Sequence, residues 1–229
     1  MSRDPTRRAL ATAAAALALV AGAVHAAPPK GEPPAPANGE LAATFFPYLD
    51  VYLQLAPRDR SLFAPESFVR AGGRSTIPPH VILVREGRRT PVPLDAEGRV
   101  LSVPDLADLR AGAVVEITPR PRDSVSAHLE MRALAPAAQT MDAGQIAEAI
   151  AQVDHAVHRS AGLMSFAVPH FARAVFVGAG TGRALFADGR QAPLPPGRNG
   201  PSYDPSQMKN VRALVFERAP ARVYIVAGL

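Results

Sequence analysis

Alternating apolar and polar residues predict β-strands along much of the chain between residues 51 and 131. In residues 51–55, Val51, Leu53 and Leu55 fall on one face of a period-two strand. Gly or Pro interrupts nearly every gap between the apolar runs, which is typical of hairpins and not of βαβ units. The predicted strands cover residues 51–55, 81–84, 90–94, 99–103, 113–118 and 125–131. Pro91 predicts an edge position for its strand, because proline cannot donate a hydrogen bond to a neighbouring strand.

A different spacing marks a single helix. Between residues 142 and 159, apolar residues recur every three or four positions and form one stripe, made of Ile146, Ile150, Val153 and Val157. Asp142 is a suitable N-cap and Gly162 a suitable end for this helix. The polar side chains, His155 among them, lie on the opposite side.

Alternation resumes after the helix and predicts strands at residues 173–177, 183–187, 211–217 and 222–226. The predicted fold is therefore α+β and mainly β, with two small antiparallel β modules bridged by one amphipathic helix. The first module is assigned to residues 41–135, the bridging helix to 140–161 and the second module to 163–229.

The two β stretches resemble each other. Residues 81–104 and 173–195 each contain a β run, a Gly-bearing turn, a second run and an acidic-Gly-Arg turn. In each stretch a proline then follows five residues after that arginine. This pattern suggests an internal duplication, and the alternative is that hairpins in a chain rich in Pro and Arg look alike.

The N-terminal residues predict export. Arg3, Arg7 and Arg8 precede a mostly apolar stretch, and residues 24–26 have the small side chains of a cleavage site. We interpret residues 1–26 as a signal peptide, with an uncleaved anchor as the alternative, and place the mature protein in the periplasm or outside the cell. The general secretory and twin-arginine routes both stay open. Residues 27–40 contain five prolines and predict an extended linker.

Composition narrows the functional classes. The 229 residues include no Cys, which excludes disulfides and a cysteine nucleophile. Abundant Arg, Ala and Pro are typical of a GC-rich bacterial genome, so Arg content is poor support for nucleic-acid binding. The net charge of +5 also falls to +3 when residues 1–26 are removed, since they carry three Arg and Asp4. No further segment has transmembrane length.

Histidines supply the first candidate chemistry. His155 and His158 lie on the predicted helix beside Asp154, with His170 a short loop away. Two imidazoles and a carboxylate can bind Zn²⁺. However, zinc proteases need histidines four residues apart with a glutamate between them, and here the spacing is three. We therefore favour solvated polar residues, without a metal or other cofactor, and keep His155, His158 and His170 as metal candidates.

Arginines supply the second candidate. Arg88, Arg89, Arg120 and Arg122 could form a basic edge that binds an acidic partner, because guanidinium groups suit carboxylates. The alternative is that these charges protect an edge strand from unwanted pairing.

Two short motifs resemble known sites only superficially. Residues 178–182 are glycine-rich like a phosphate loop, but a strand and not a helix follows them, so we interpret them as a hairpin turn. Ser206 and Lys209 match the Ser-x-x-Lys motif of penicillin-binding proteins and serine β-lactamases, but the companion motifs are absent.

These observations favour a non-catalytic, envelope-associated interaction protein whose partner is an envelope protein or an acidic envelope component. The alternative is a small metal-assisted hydrolase that uses His155, His158 and His170. An enzyme is the less favoured of the two hypotheses.

Overall fold

The structure, a computed structural model, describes residues 39–71, 79–118, 125–161 and 168–228. The predicted signal peptide, nearly all of the predicted linker, Arg120, Arg122 and Gly162 lie outside the described residues. The described residues belong to one compact unit. None of the described helices is both long enough and apolar enough to cross a lipid bilayer.

β-Strands predominate, as predicted, and four α-helices accompany thirteen strands in the described residues. The helices are α1 (Ala42–Phe45), α2 (Leu49–Gln54), α3 (Leu106–Arg110) and α4 (Ala143–Ala161). The strands of the first half are β1 (Glu40–Leu41), β2 (Phe63–Ala71), β3 (His80–Arg85), β4 (Arg88–Val92), β5 (Val114–Thr118) and β6 (Val125–Ala133). Those of the second half are β7 (Thr140–Asp142), β8 (Phe171–Val177), β9 (Gly182–Phe186), β10 (Gln191–Pro193), β11 (Ser202–Tyr203), β12 (Val211–Phe216) and β13 (Arg222–Ala227).

Two four-stranded sheets, one from each half of the chain, have the same antiparallel arrangement. The first has the order β1-β5-β3-β4 and the second has the order β7-β12-β9-β10. In both sheets one of the two edge strands contains a proline, Pro91 in β4 and Pro193 in β10. The edge position predicted for Pro91 is therefore confirmed.

The third sheet combines strands from both halves. Its order is β11-β8-β13-β6-β2, so β6 and β13 pair at its centre. That central pairing is short, with Arg132 opposite Tyr224 and Met131 opposite Ile225. The sheet thus takes strands from both modules that the sequence assigned to residues 41–135 and 163–229.

Helix α4 covers one face of the second half. Its apolar stripe is confirmed, because Ile146, Ile150 and Val153 are buried against residues of β8 and β12. The predicted N-cap is also confirmed, since the Asp142 carboxylate accepts a hydrogen bond from the Gln145 amide at 2.8 Å. The helix packs mainly on the strands that follow it in sequence.

Helices α1 and α2 cover the first half, where the sequence predicted a strand at residues 51–55. That prediction is wrong, since α2 occupies Leu49–Gln54. Ala42, Phe45 and Leu49 are buried at helical spacing just upstream. A window that begins at Val51 misses this spacing and shows only the alternation.

The other strand predictions have mixed outcomes. Strands are confirmed in or around the segments 81–84, 90–94, 113–118, 125–131, 173–177, 183–187, 211–217 and 222–226. Residues 99–103 form only isolated bridges at Arg99 and Val100. The nine residues of β2 were not predicted, because Pro65 within them is unusual in a strand.

Candidate functional site

The three candidate histidines do not converge, but two of them meet Asp154. His155 is exposed and lies outside the group. His158 lies one helical turn after Asp154 on α4, so the two side chains share a face, and His170 immediately precedes β8. Asp154, His158 and His170 together are called the Asp154 cluster. Each of them offers one ligand-type atom within 4.8 Å of the other two.

Short polar contacts centre on the carboxylate of the Asp154 cluster. Oδ1 of Asp154 lies 3.2 Å from Nδ1 of His158 and 3.3 Å from Nδ1 of His170. The same oxygen accepts the Phe171 amide at 2.9 Å, which connects α4 to the start of β8. The two imidazole rings stack with their centroids 4.3 Å apart. Nδ1 of His158 also contacts the Asp154 carbonyl oxygen at 2.9 Å, whereas its Nε2 is buried and has no hydrogen-bond partner among the described residues.

The predicted basic edge is only partly available for a partner. Arg89 forms an ion pair with Glu116 at 2.6 Å, across neighbouring strands of the first sheet. Arg88 is exposed, and its guanidinium has no hydrogen bond or ion pair within the described part of the chain. Arg120 and Arg122 lie outside the described residues.

A small cavity opens beside Arg88. Its volume is about 110 Å³, which is well below the several hundred Å³ of most small-molecule sites. Its charged walls are Arg85, Arg88 and Asp108, and Arg85 is already paired with Asp108 at 2.9 Å. The rest of its wall consists of Leu83, Thr90, Pro91, Val92, Ser102, Val103 and Pro104. We call Arg88 with this cavity the Arg88 edge.

Sequence reasoning missed a buried polar group on the third sheet, which is called the central sheet from here on. Glu66 of β2 is only 7% exposed. Its carboxylate lies 2.7 Å from Nε of Arg132 on β6 and 3.2 Å from Nη1 of Arg99. The Tyr224 hydroxyl on β13 donates to it at 2.9 Å. Glu66, Arg99, Arg132 and Tyr224 together are called the Glu66 network. It spans three adjacent strands.

The environment of the Glu66 network keeps the tyrosine neutral. Burial raises the pKa of the Tyr224 phenol, and the hydrogen bond to the Glu66 carboxylate raises it further. Nearby His128 stacks on Phe68 at 5.0 Å between ring centroids. Burial and the positive charge of Arg70 lower the pKa of His128. The sequence carries no alternation that marks this face, because both faces of β2 mix polar and apolar side chains, with Glu66 and Phe68 on one and Phe63, Ser67 and Val69 on the other.

The two superficial motifs carry no site in the structure. Gly178 and Gly180 adopt positive φ in a turn that leads from β8 to β9, which belong to different sheets. This turn is therefore a corner between sheets and not the hairpin that the sequence suggested. Ser206 donates its hydroxyl hydrogen to Asp204 at 2.6 Å, and no contact joins it to Lys209 among the described residues.

Comparison with known proteins adds no relative. No protein-family model matches the chain, and neither a curated protein sequence nor a solved structure matches it.

Proposed function

We propose that the chain is an exported, non-catalytic interaction protein of the bacterial envelope, and that the Arg88 edge binds a carboxylate group of its partner. The exported part begins at Ala27 in this proposal, after the predicted signal peptide. The occupant is an extended segment of an envelope protein with acidic side chains.

The observation that carries this proposal is that the Arg88 guanidinium has no hydrogen bond or ion pair among the described residues. It lies beside a cavity that is large enough for a carboxylate side chain and too small for most metabolites. Asp108 lies on the same cavity wall but is already paired with Arg85, and Arg89 is paired with Glu116. A forked pair of N–H donors suits a carboxylate in two parallel hydrogen bonds.

Pro91 disfavours binding of such a segment as an added β-strand. An edge strand usually recruits a peptide by main-chain hydrogen bonds, but Pro91 has no amide hydrogen to donate. Recognition in this proposal therefore depends on side-chain charge more than on strand addition. Binding of this kind weakens as salt screens the charges.

We propose also that the two halves of the chain arose by internal duplication, in a register different from the one suggested by the sequence. Strand β3 corresponds to β9 in this register, and helix α1 to the start of α4. Buried residues then correspond at a constant separation in sequence: Ala42 with Ala143, Phe45 with Ile146 and Leu49 with Ile150.

Main-chain hydrogen bonds after the edge strands support the same register. The Leu101 amide donates to the Pro93 carbonyl at 2.9 Å, and the Ser202 amide donates to the Pro195 carbonyl at 2.8 Å. These prolines end the motifs Pro-Val-Pro (91–93) and Pro-Leu-Pro (193–195).

The proposed duplication allows Arg88 to be compared with the corresponding residue of the second half. When Val92 corresponds to Leu194, Arg88 corresponds to Arg190. The Arg190 guanidinium is neutralised by Asp188 at 2.6 Å, whereas Arg88 has no such neighbour among the described residues. Arg190 is thus a matched control for Arg88.

A titration tests the proposal with residues 27–229 and two synthetic peptides. One peptide alternates Glu with apolar residues, and the other has Lys in place of each Glu. We expect the acidic peptide to bind and to shift amide resonances of β4 in NMR spectra. Arg88→Ala should weaken binding by about 10-fold, the effect of losing one charged contact, while Arg190→Ala leaves it unchanged. Equal binding of both peptides, or equal effects of both substitutions, contradicts the proposal.

A further inference from the structure

The Asp154 cluster has the composition and the spacing of a divalent metal site. Zn²⁺ and similar borderline ions prefer imidazole nitrogen, often together with a carboxylate oxygen, at bond lengths of about 2.0–2.2 Å. Tetrahedral geometry at such bond lengths places neighbouring ligand atoms about 3.3–3.6 Å apart. The two measured separations from Asp154 Oδ1 to the histidine Nδ1 atoms, 3.2 and 3.3 Å, are close to this range.

The positions of the three side chains permit small adjustments toward an ion. Asp154 and His158 are half-buried on a rigid helix, and the Phe171 amide fixes the carboxylate. His170 is 77% exposed, so its ring can move toward an ion without disturbing the core. A fourth coordination position on this open side is accessible to water, as in zinc sites with three protein ligands.

The two histidine rings are held close together beside Asp154, with their centroids 4.3 Å apart. Nε2 of His158 is buried and has no hydrogen-bond partner among the described residues, which leaves Nδ1, the atom nearest Asp154 Oδ1, as the ligand atom. Ligation through Nδ1 replaces the present contact of this atom with the Asp154 carbonyl oxygen.

We propose that Asp154, His158 and His170 bind one divalent transition-metal ion of the Zn²⁺ class and thereby connect the C-terminal part of α4 to the start of β8. Asp154 contributes Oδ1 and each histidine contributes Nδ1. His155 takes no part. This set replaces the one suggested by the sequence, since Asp154 takes the place of His155.

The site belongs to one half of the molecule only. In the register of the proposed duplication, Leu53 and Pro57 occupy the positions of Asp154 and His158. Neither side chain binds metals. The ion is therefore a feature that the second half alone carries, independent of the Arg88 edge.

The test measures metal binding to chelator-treated residues 27–229, with ZnSO₄ and NiSO₄ as probes. We expect one ion per chain by isothermal titration calorimetry. The melting temperature should rise by about 5 °C when the metal exceeds its dissociation constant by about 100-fold. EDTA should reverse the rise.

Two exposed histidines provide the matched variants. His170→Ala should weaken binding by about 100-fold and remove the thermal shift, whereas His155→Ala, beside Asp154 on the same helix, should retain both. Because His170 is exposed, its loss should leave the metal-free melting temperature nearly unchanged. Absence of binding by either metal identifies the cluster as hydrogen-bonded ion pairs and overturns the proposal. A thermal shift that survives in His170→Ala, or disappears in His155→Ala, overturns it as well.

Discussion

Glu66 joins three strands through one carboxylate, with Arg132 on the neighbouring strand and Tyr224 one strand further. Burying a carboxylate is costly, and the cost is offset only when cations and hydrogen-bond donors surround it. Glu66 has both, since Arg99 and Arg132 supply charge and Tyr224 supplies a hydroxyl hydrogen. Removal of the carboxylate leaves Arg132 without its ion-pair partner among the described residues, whereas Arg99 keeps its pair with Asp95 at 2.9 Å.

We therefore expect Glu66→Ala to lower the free energy of unfolding by about 3 kcal/mol, as is typical when one member of a buried ion pair is lost. Glu116→Ala is the control, because the Glu116–Arg89 pair is partly exposed and should contribute less than about 1 kcal/mol. Urea unfolding followed by circular dichroism measures both values. Similar losses in the two variants would show that the Glu66 network does not stabilise the central sheet.

At the scale of elements, α4 is the helix whose existence, boundaries and buried face follow from its residues alone. Its stripe is long and regular, and a capping carboxylate precedes it. Ile150 lies within the stripe and is buried in the hydrophobic core that α4 forms with β8 and β12. His155 lies on the opposite, exposed side.

Ile150→Ala should lower the free energy of unfolding by about 2–5 kcal/mol, through lost apolar burial and the cavity that remains. His155→Ala should change it by less than about 0.5 kcal/mol, as exposed substitutions generally do. Thermal and urea denaturation in the presence of EDTA measure both without interference from metals. A large effect of His155→Ala would place that side chain in a structural role that the fold does not give it.

The elements also show where local patterns stop being informative. Helix α4 was predictable because it carries one uninterrupted helical periodicity, and β3 because turn residues bound its short apolar run. Helices α1 and α2 were not, because Pro47 interrupts the helical spacing and a short alternation imitates a strand. Strand β2 was hidden by Pro65, which is tolerated near the end of an outer strand of the sheet.

The candidate sites also differ in whether neighbouring residues in the sequence reveal them. His158 and Asp154 are neighbours on one helix, so their proximity is visible in the sequence. The Glu66 network is not visible, since its members come from residues 66, 99, 132 and 224 and meet only through the pairing of distant strands. His155 was not distinguished from His158 in the sequence, because the contact of His158 with His170 depends on where β8 begins.

At the scale of the whole molecule, the two halves meet along β6 and β13. Nine residue pairs join β2 to β6, whereas only two join β6 to β13. The Glu66 network crosses this short junction, because Glu66 and Arg132 lie on one side of it and Tyr224 on the other. When the other half is absent, each half therefore exposes one edge of a strand that lies inside the sheet of the whole chain, β6 in the first half and β13 in the second.

We expect residues 39–137 and 138–229, produced separately, to lack the cooperative thermal unfolding of the whole chain. A strand that loses its neighbour along one edge exposes main-chain donors and apolar surface at once. Mixed in equal amounts, the two fragments should form a 1:1 complex with restored near-ultraviolet circular dichroism. Calorimetry and analytical ultracentrifugation measure these outcomes. Cooperative unfolding of each fragment as a separate monomer would instead support two independent β modules.

In the proposed duplication β6 and β13 are corresponding strands, so their antiparallel pairing has the geometry of an isologous contact, in which the same element of two identical subunits meets across a two-fold axis. The half-length ancestor in this proposal is a homodimer, whose stability depends on its concentration. Fusion of two copies into one polypeptide would remove that dependence, because the second half is then always present at high effective concentration. Fusion would also free each half from serving both subunits, so that one half can keep Arg88 at its edge and the other can hold the Asp154 cluster.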